Sequence, residues 1–133
     1  MGVPIDSDVL IAAERGLLDV AAKIKDRGEE EFFISAITAS ELLHGVWRAE
    51  DAKIRARRSA FVEWVLENFP ILPIGLPAAR AHAQLWAALN SKGSPIGAHD
   101  LWLAASCVAF GHSLITRNAR EFKRVPGLKV ESW

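Results

Sequence analysis

The chain has 133 residues, half of them hydrophobic and 24% charged, a composition that folds rather than one that stays disordered. Its 16 Lys and Arg match its 16 Asp and Glu, so net charge alone nominates no partner, and a lone cysteine excludes an intrachain disulfide framework. No Cys and His stand at zinc-ligand spacing, and the longest apolar stretch, Leu101 to Phe110, falls well short of the ~20 residues of a membrane span. The length predicts one domain over residues 1–133, and the absence of a basic cluster before an early apolar run predicts no signal peptide. The expectation is a soluble, cytoplasmic protein with no membrane partner.

Val3-Pro4-Ile5 reads as a short first strand ending at Asp6, with Pro4 tolerable only near a strand's start or edge. Ser7 is then placed to cap a helix that runs to Arg15 and stops at Gly16, and a second helix spans Leu17 to Arg27. Phe32-Phe33-Ile34 is the next strand, and Thr38 opens a further helix. A longer helix runs from about Asp51 to Asn68, with Phe61, Val62, Val65, Leu66 and Phe69 at helical spacing. After an extended Ile71-Leu72-Pro73-Ile74, Pro77 starts an amphipathic helix carrying Ala78, Ala81, Leu85 and Leu89 on one side. The loop Gly93 to Gly97 leads into His99 to Phe110, a helix so apolar that it belongs at the centre of the fold. Ser113-Leu114-Ile115 is a strand, Asn118 is placed to cap a short helix, and Leu128-Lys129-Val130 is the last strand. Short strands alternating with helices predict an α/β fold in three layers, a short and largely parallel central sheet flanked by helices.

In such sheets, sites gather beyond the carboxyl ends of the strands. Asp6 directly follows the first strand, Glu41 lies one helical turn past the second, and Asp100 opens the buried helix. Asn118, just after the Ser113 strand, is a fourth candidate. Each has an ordinary structural alternative. Thr38 and Glu41 fit a capping box, Asp100 fits a helix start, Asn118 with Glu121 is again a capping pattern, and Asp6 fits a turn. Taken together, the acids favour a site, because gathered carboxylates repel one another unless a proton or a cation intervenes. Acidic oxygens without cysteine are the hard ligands of Mg²⁺ or Mn²⁺, which suits phosphodiester hydrolysis.

Other chemistry is poorly supported. Ser94 in Gly93-Ser94-Pro95-Ile96-Gly97 is misplaced for a nucleophile elbow, no phosphate loop occurs, and Cys107 sits among apolar neighbours. His44, His82 and His112 read as surface or packing residues, whereas His99 beside Asp100 is a possible acid/base. Two basic clusters, Lys53 to Arg58 and Arg117 to Lys129, are either solvated faces or tracks for a phosphate backbone. Trp47, Trp64, Trp86 and Trp102 are expected as core or interface anchors, although an exposed ring could stack on a base.

Four segments in order carry a family resemblance: Ile5-Asp6-Ser7-Asp8-Val9-Leu10, then Ile37-Thr38-Ala39-Ser40-Glu41-Leu42-Leu43-His44-Gly45, then Ile96 to Ala105, and finally Leu114 to Phe122 running on to Leu128. The chain resembles the PIN-domain ribonucleases and, within them, the VapC toxins of bacterial toxin–antitoxin pairs. The resemblance implies a PIN-like nuclease domain whose metal-binding acids are Asp6, Glu41 and Asp100, with Asn118 as a fourth, polar catalytic position. It also implies a Mg²⁺- or Mn²⁺-dependent endoribonuclease acting on cellular RNA, often tRNA or rRNA. A homodimer and a cognate VapB-type antitoxin are implied as partners.

Two departures stand out. Asn118 replaces the Asp common in PIN domains, and Asp8 adds a carboxylate where the opening motif usually has Asn or Ser. Ser7 and Thr116 hydroxyls are candidates to orient the acids. Two alternatives stay open: a phosphatase of the haloacid-dehalogenase type using Asp6 and Asp8, and a non-catalytic module that binds RNA or protein. EDTA separates the last of these from a metal-dependent nuclease.

Overall fold

The computed structural model describes residues 2–133. In chain order it contains β1 (Gly2–Pro4), α1 (Ser7–Glu14), α2 (Val20–Asp26), β2 (Glu31–Ser35), α3 (Ala36–Arg48), α4 (Ala52–Asn68) and β3 (Ile71–Leu72). There follow α5 (Leu76–Ser91), α6 (Ala98–Phe110), β4 (Leu114–Thr116), α7 (Ala119–Phe122) and β5 (Val130–Ser132). All strand pairs are parallel, as the helical crossovers require. β1, β2 and β3 form one ladder and β4 and β5 another, joined by a single parallel bridge between Ile5 and Ile115. The spatial order is therefore β3-β2-β1-β4-β5.

Pro4 explains why the junction is so brief. In a parallel ladder successive amides point to opposite sides. The Ile5 N–H donates to Phe33 in β2 and the Asp6 N–H to Ile115 in β4. The position that would have bonded β4 one step earlier is Pro4, which has no N–H. Pairing with β4 begins only beyond it. On the other side of β1, Gly2 admits the Phe33 ring, which lies so close that any side chain there would collide with it.

The sheet separates two apolar cores. Neighbouring residues of a strand face opposite ways. Accordingly Ile115 packs with Val3, Ile5, Phe32, Ile34 and residues of α1, α3 and α4. Leu114 packs instead with α5, α6 and Phe122. This is the expected three-layer α/β arrangement. α6 is largely buried from Leu101 to Cys107, and it ends at Gly111, whose φ of 69° is a left-handed value that glycine adopts without strain.

Several details differ from the sequence reading. The cap of α1 is Asp6 rather than Ser7. The second helix begins at Val20, capped by Asp19, rather than at Leu17. The cap of α3 is Ser35, which ends β2, so strand passes to helix with no loop between them. The last strand lies two residues later than expected, at 130–132. Trp47 is 78% exposed and Trp86 56%, so neither is a core residue. No described helix is long and apolar enough to cross a membrane.

Candidate active site

The strand order reverses between β1 and β4, and the crevice outside their carboxyl ends is where open α/β sheets bind ligands. Asp6 leaves β1 there and is only 4% exposed. Its Oδ1 accepts the Ser7 N–H at 2.8 Å, and its Oδ2 accepts the Thr116 hydroxyl at 2.9 Å. Burial pushes its carboxyl up to about 7, assisted by the charge of Asp8 and opposed by those two hydrogen bonds. The Asp8 carboxylate takes the Arg117 N–H at 3.2 Å on each oxygen. Asp8 thus turns toward the crevice and ties α1 to the end of β4.

Glu41 arrives from α3. The capping alternative for this residue is absent, because Ser35 Oγ accepts the Thr38 N–H at 3.0 Å and the cap is already made. Glu41 is left free to face α1, where the Ser7 hydroxyl donates to its Oε1 at 3.2 Å. His99 Nδ1 stands 3.6 Å from its Oε2 at the exposed mouth.

Asp100 lies in the first turn of α6 but does not cap it, since the cap is Gly97 without a side-chain bond. Burial pushes its carboxyl up to about 7, with the charges of Asp6, Glu121 and Glu41 adding to the effect. Asp6 thus feels the charge of Glu41, and Asp100 the charges of both, so the three carboxylates lie near one another although they come from three separate elements.

Asn118 does not join that group directly. Its side-chain amide donates to Glu121 Oε2 at 2.7 Å, and its N–H donates to Thr116 Oγ1 at 2.9 Å. Glu121, which in the sequence looked like the far end of a cap, instead accepts the Gly97 N–H at 2.9 Å. That bond, with help from Asn118, holds its carboxyl below the usual range and leaves a charged neighbour beside Asp100. Nothing local in the sequence marks this role, because the contact spans 24 residues.

Among the described residues, no three His, Cys, Asp or Glu side chains already converge as a finished metal-ligand set. The carboxylates share a field without sharing a point. Gathered carboxylates repel one another unless a proton or a cation intervenes, and oxygen donors suit hard divalent ions better than soft ones.

The PIN domain family model matches residues 3–128. A relative named ribonuclease VapC, from Rickettsia bellii (strain RML369-C), is 33% identical over 130 residues, 98% of this chain and 95% of the relative. A tRNA(fMet)-specific endonuclease VapC from Salmonella typhimurium is 36% identical over 100 residues, 75% of this chain and 74% of that protein. The solved structure of DNA-bound VapBC from Salmonella typhimurium superposes with a TM-score of 0.90 at 27% identity, over 100% of this chain and 98% of the other. Fold, strand order and these matches agree: the chain belongs to the PIN domain family, in its VapC branch.

Proposed function

We propose that this protein is a metal-dependent endoribonuclease that hydrolyses phosphodiester bonds of cellular RNA, tRNA or rRNA, as the toxin of a cytoplasmic toxin–antitoxin pair. The observation that carries the reading is that Asp6, Glu41 and Asp100 gather at the reversal point of the sheet, with Ser7 bonded to both Asp6 and Glu41 and Asp100 within the field of both. The ribonuclease and tRNA(fMet)-specific endonuclease names of the relatives support the substrate class, and the VapBC neighbour supports a VapB-type antitoxin as partner. A homodimer goes with the same family reading.

The donor set fits Mg²⁺ or Mn²⁺, which Asp6, Glu41 and Asp100 would hold. When bound, such an ion supplies positive charge against the developing charge on phosphate and lowers the pKa of a water molecule at the scissile bond. The chain's own groups fix the frame. Thr116 holds one oxygen of Asp6 and Ser7 orients Glu41, so neither carboxylate has to find its rotamer at the moment of reaction. His99, beside Glu41 at the mouth, is the candidate acid or base of this reading. The phosphatase alternative gains no support, since it needs a free Asp8 and both oxygens of Asp8 are held by the Arg117 N–H.

The test is incubation of the purified chain with total cellular RNA and Mg²⁺, beside samples containing EDTA or the Asp100→Asn protein. Discrete cleavage abolished by both controls is expected. Cleavage that persists in EDTA would overturn metal dependence. RNA binding without any cleavage would return the non-catalytic module.

A further inference from the structure

A second concavity lies beside the acidic crevice and is assigned no role by the reading above. It is an open pocket of about 380 Å³ between α5 and α6. Its lining includes His82, Trp86, Leu89, Asn90, Leu101 and Trp102. The His82 imidazole is stacked on Trp102 with ring centroids 3.7 Å apart and planes 17° apart. Trp86 stands edge-on to His82 at 5.6 Å and is 56% exposed. Leu89 and Leu101 are buried and close the inner side.

The pocket's place makes it more than an apolar dent. Ala98, Leu101 and Trp102 line it from the first turns of α6, and Asp100 leaves those same turns for the crevice. A helix is only about 10–12 Å across with its side chains, so the two concavities lie within a few nucleotide lengths of each other. The Arg124 guanidinium donates to the carbonyl of Pro95, another residue of the pocket wall, at 3.3 Å and brings positive charge to the rim. Flat π faces, an Asn amide at the mouth and a cation on the rim match one ligand chemistry: an unpaired base with its phosphate.

We propose that the pocket formed by His82, Trp86 and Trp102 receives an unpaired nucleobase of the RNA, next to the nucleotide whose bond is held at Asp100. This selects single-stranded loops or ends as substrates. The Asn90 amide is positioned to read the edge of the base, and Trp86 supplies the stacking face. The inference rests on the ribonuclease reading for the word substrate, but not for the pocket's ligand.

The test uses the full chain and two probes, adenosine 5′-monophosphate and ribose 5-phosphate, followed by tryptophan emission excited beyond the purine absorption. Saturable quenching by the nucleotide and none by the sugar phosphate is expected. Trp86→Ala, which alters an exposed ring, should weaken that binding roughly five- to tenfold. His82→Ala, read alongside it, should do the same. In the cleavage assay, Trp86→Ala should raise KM by a similar factor with kcat little changed. Equal quenching by both probes would overturn the pocket. So would an unchanged affinity in both variants, or a dimer that Trp86→Ala dissolves in a protein blind to the nucleotide. Base-specific quenching in a protein that cuts no RNA would uphold the pocket while sinking the nuclease.

Discussion

Asp100 carries its proton to about pH 7 because burial and three like charges oppose its ionisation. That has a consequence for stability when no cation is present. In the unfolded chain the same carboxyl titrates near 3.8, so between roughly pH 4 and pH 7 the native state holds a proton that the unfolded state has lost. Stability therefore falls as pH rises through this window, and the charge burdens the fold above it. Asp100→Asn removes the ionisation while keeping the shape. In EDTA at pH 8 it should be more stable than the parent by about 1–3 kcal/mol, with the difference gone at pH 4. Urea unfolding at both pH values checks this, and equal stability at pH 8 would show that the acids do not strain one another. The same variant should cut no RNA, which is the usual exchange of stability for a working site. At this scale the sequence shows Asp6, Glu41 and Asp100 through their motif segments. It also offers the Thr116 hydroxyl, which does hold Asp6, but it does not show Glu121, because that hydrogen bond to Gly97 reaches across 24 residues and depends on how the elements meet.

Glu41 is useful only because α3 starts where it does. Two candidate caps stand three residues apart in Ser35-Ala36-Ile37-Thr38, and the local sequence does not rank them. Tertiary structure decides, since β2 runs directly into the helix and buries Ser35 completely. Its hydroxyl accepts the Thr38 N–H and donates to Thr38 Oγ1 at 3.2 Å, which leaves two groups unpaired if it is removed. Ser35→Ala should cost about 1–2 kcal/mol and lower Tm by roughly 3–6 °C. A thermal melt followed by circular dichroism measures this. Because Glu41 lies on the second turn from that cap, cleavage should fall as well, and Ser35→Thr should restore part of both. Other elements were legible for simple reasons: apolar periodicity marks α4 and α5, and the all-round apolar stretch marks α6. The starts of α1 and α3 were less legible, because there the cap is chosen by what the preceding strand does with its last residues.

Across the whole molecule, a net charge of zero conceals a separation of charge. The acids lie in the crevice, and the two basic clusters differ in what they are free to do. In the α4 cluster, Arg55 donates to the carbonyl of Ala49, Arg58 to that of Gly45, and Arg57 lies 3.5 Å from Glu14. Arg55 and Arg58 thus secure the α3–α4 connection, and Arg57 faces α1. On and just beyond α7, Arg120 and Lys123 are exposed and lie in the segment that supplies Glu121 to the crevice. RNA reaching the acids should therefore cross the α7 side. Each phosphate contact releases counterions, so the logarithm of the binding constant falls linearly with the logarithm of salt concentration. Removing two such contacts should flatten the slope by about 1.4 for a single strand. The Arg120→Gln/Lys123→Gln double variant is expected to do this for a single-stranded RNA bound in EDTA between about 50 and 200 mM salt, with Tm unchanged. The matching change at Arg55 should instead lower Tm and leave the slope alone, because its charge already serves the fold. If the α7 variant kept the parent slope and the α4 variant lost it, RNA would approach from the opposite side of the crevice. The base pocket between α5 and α6, whose rim carries Arg124, would then lie off its path.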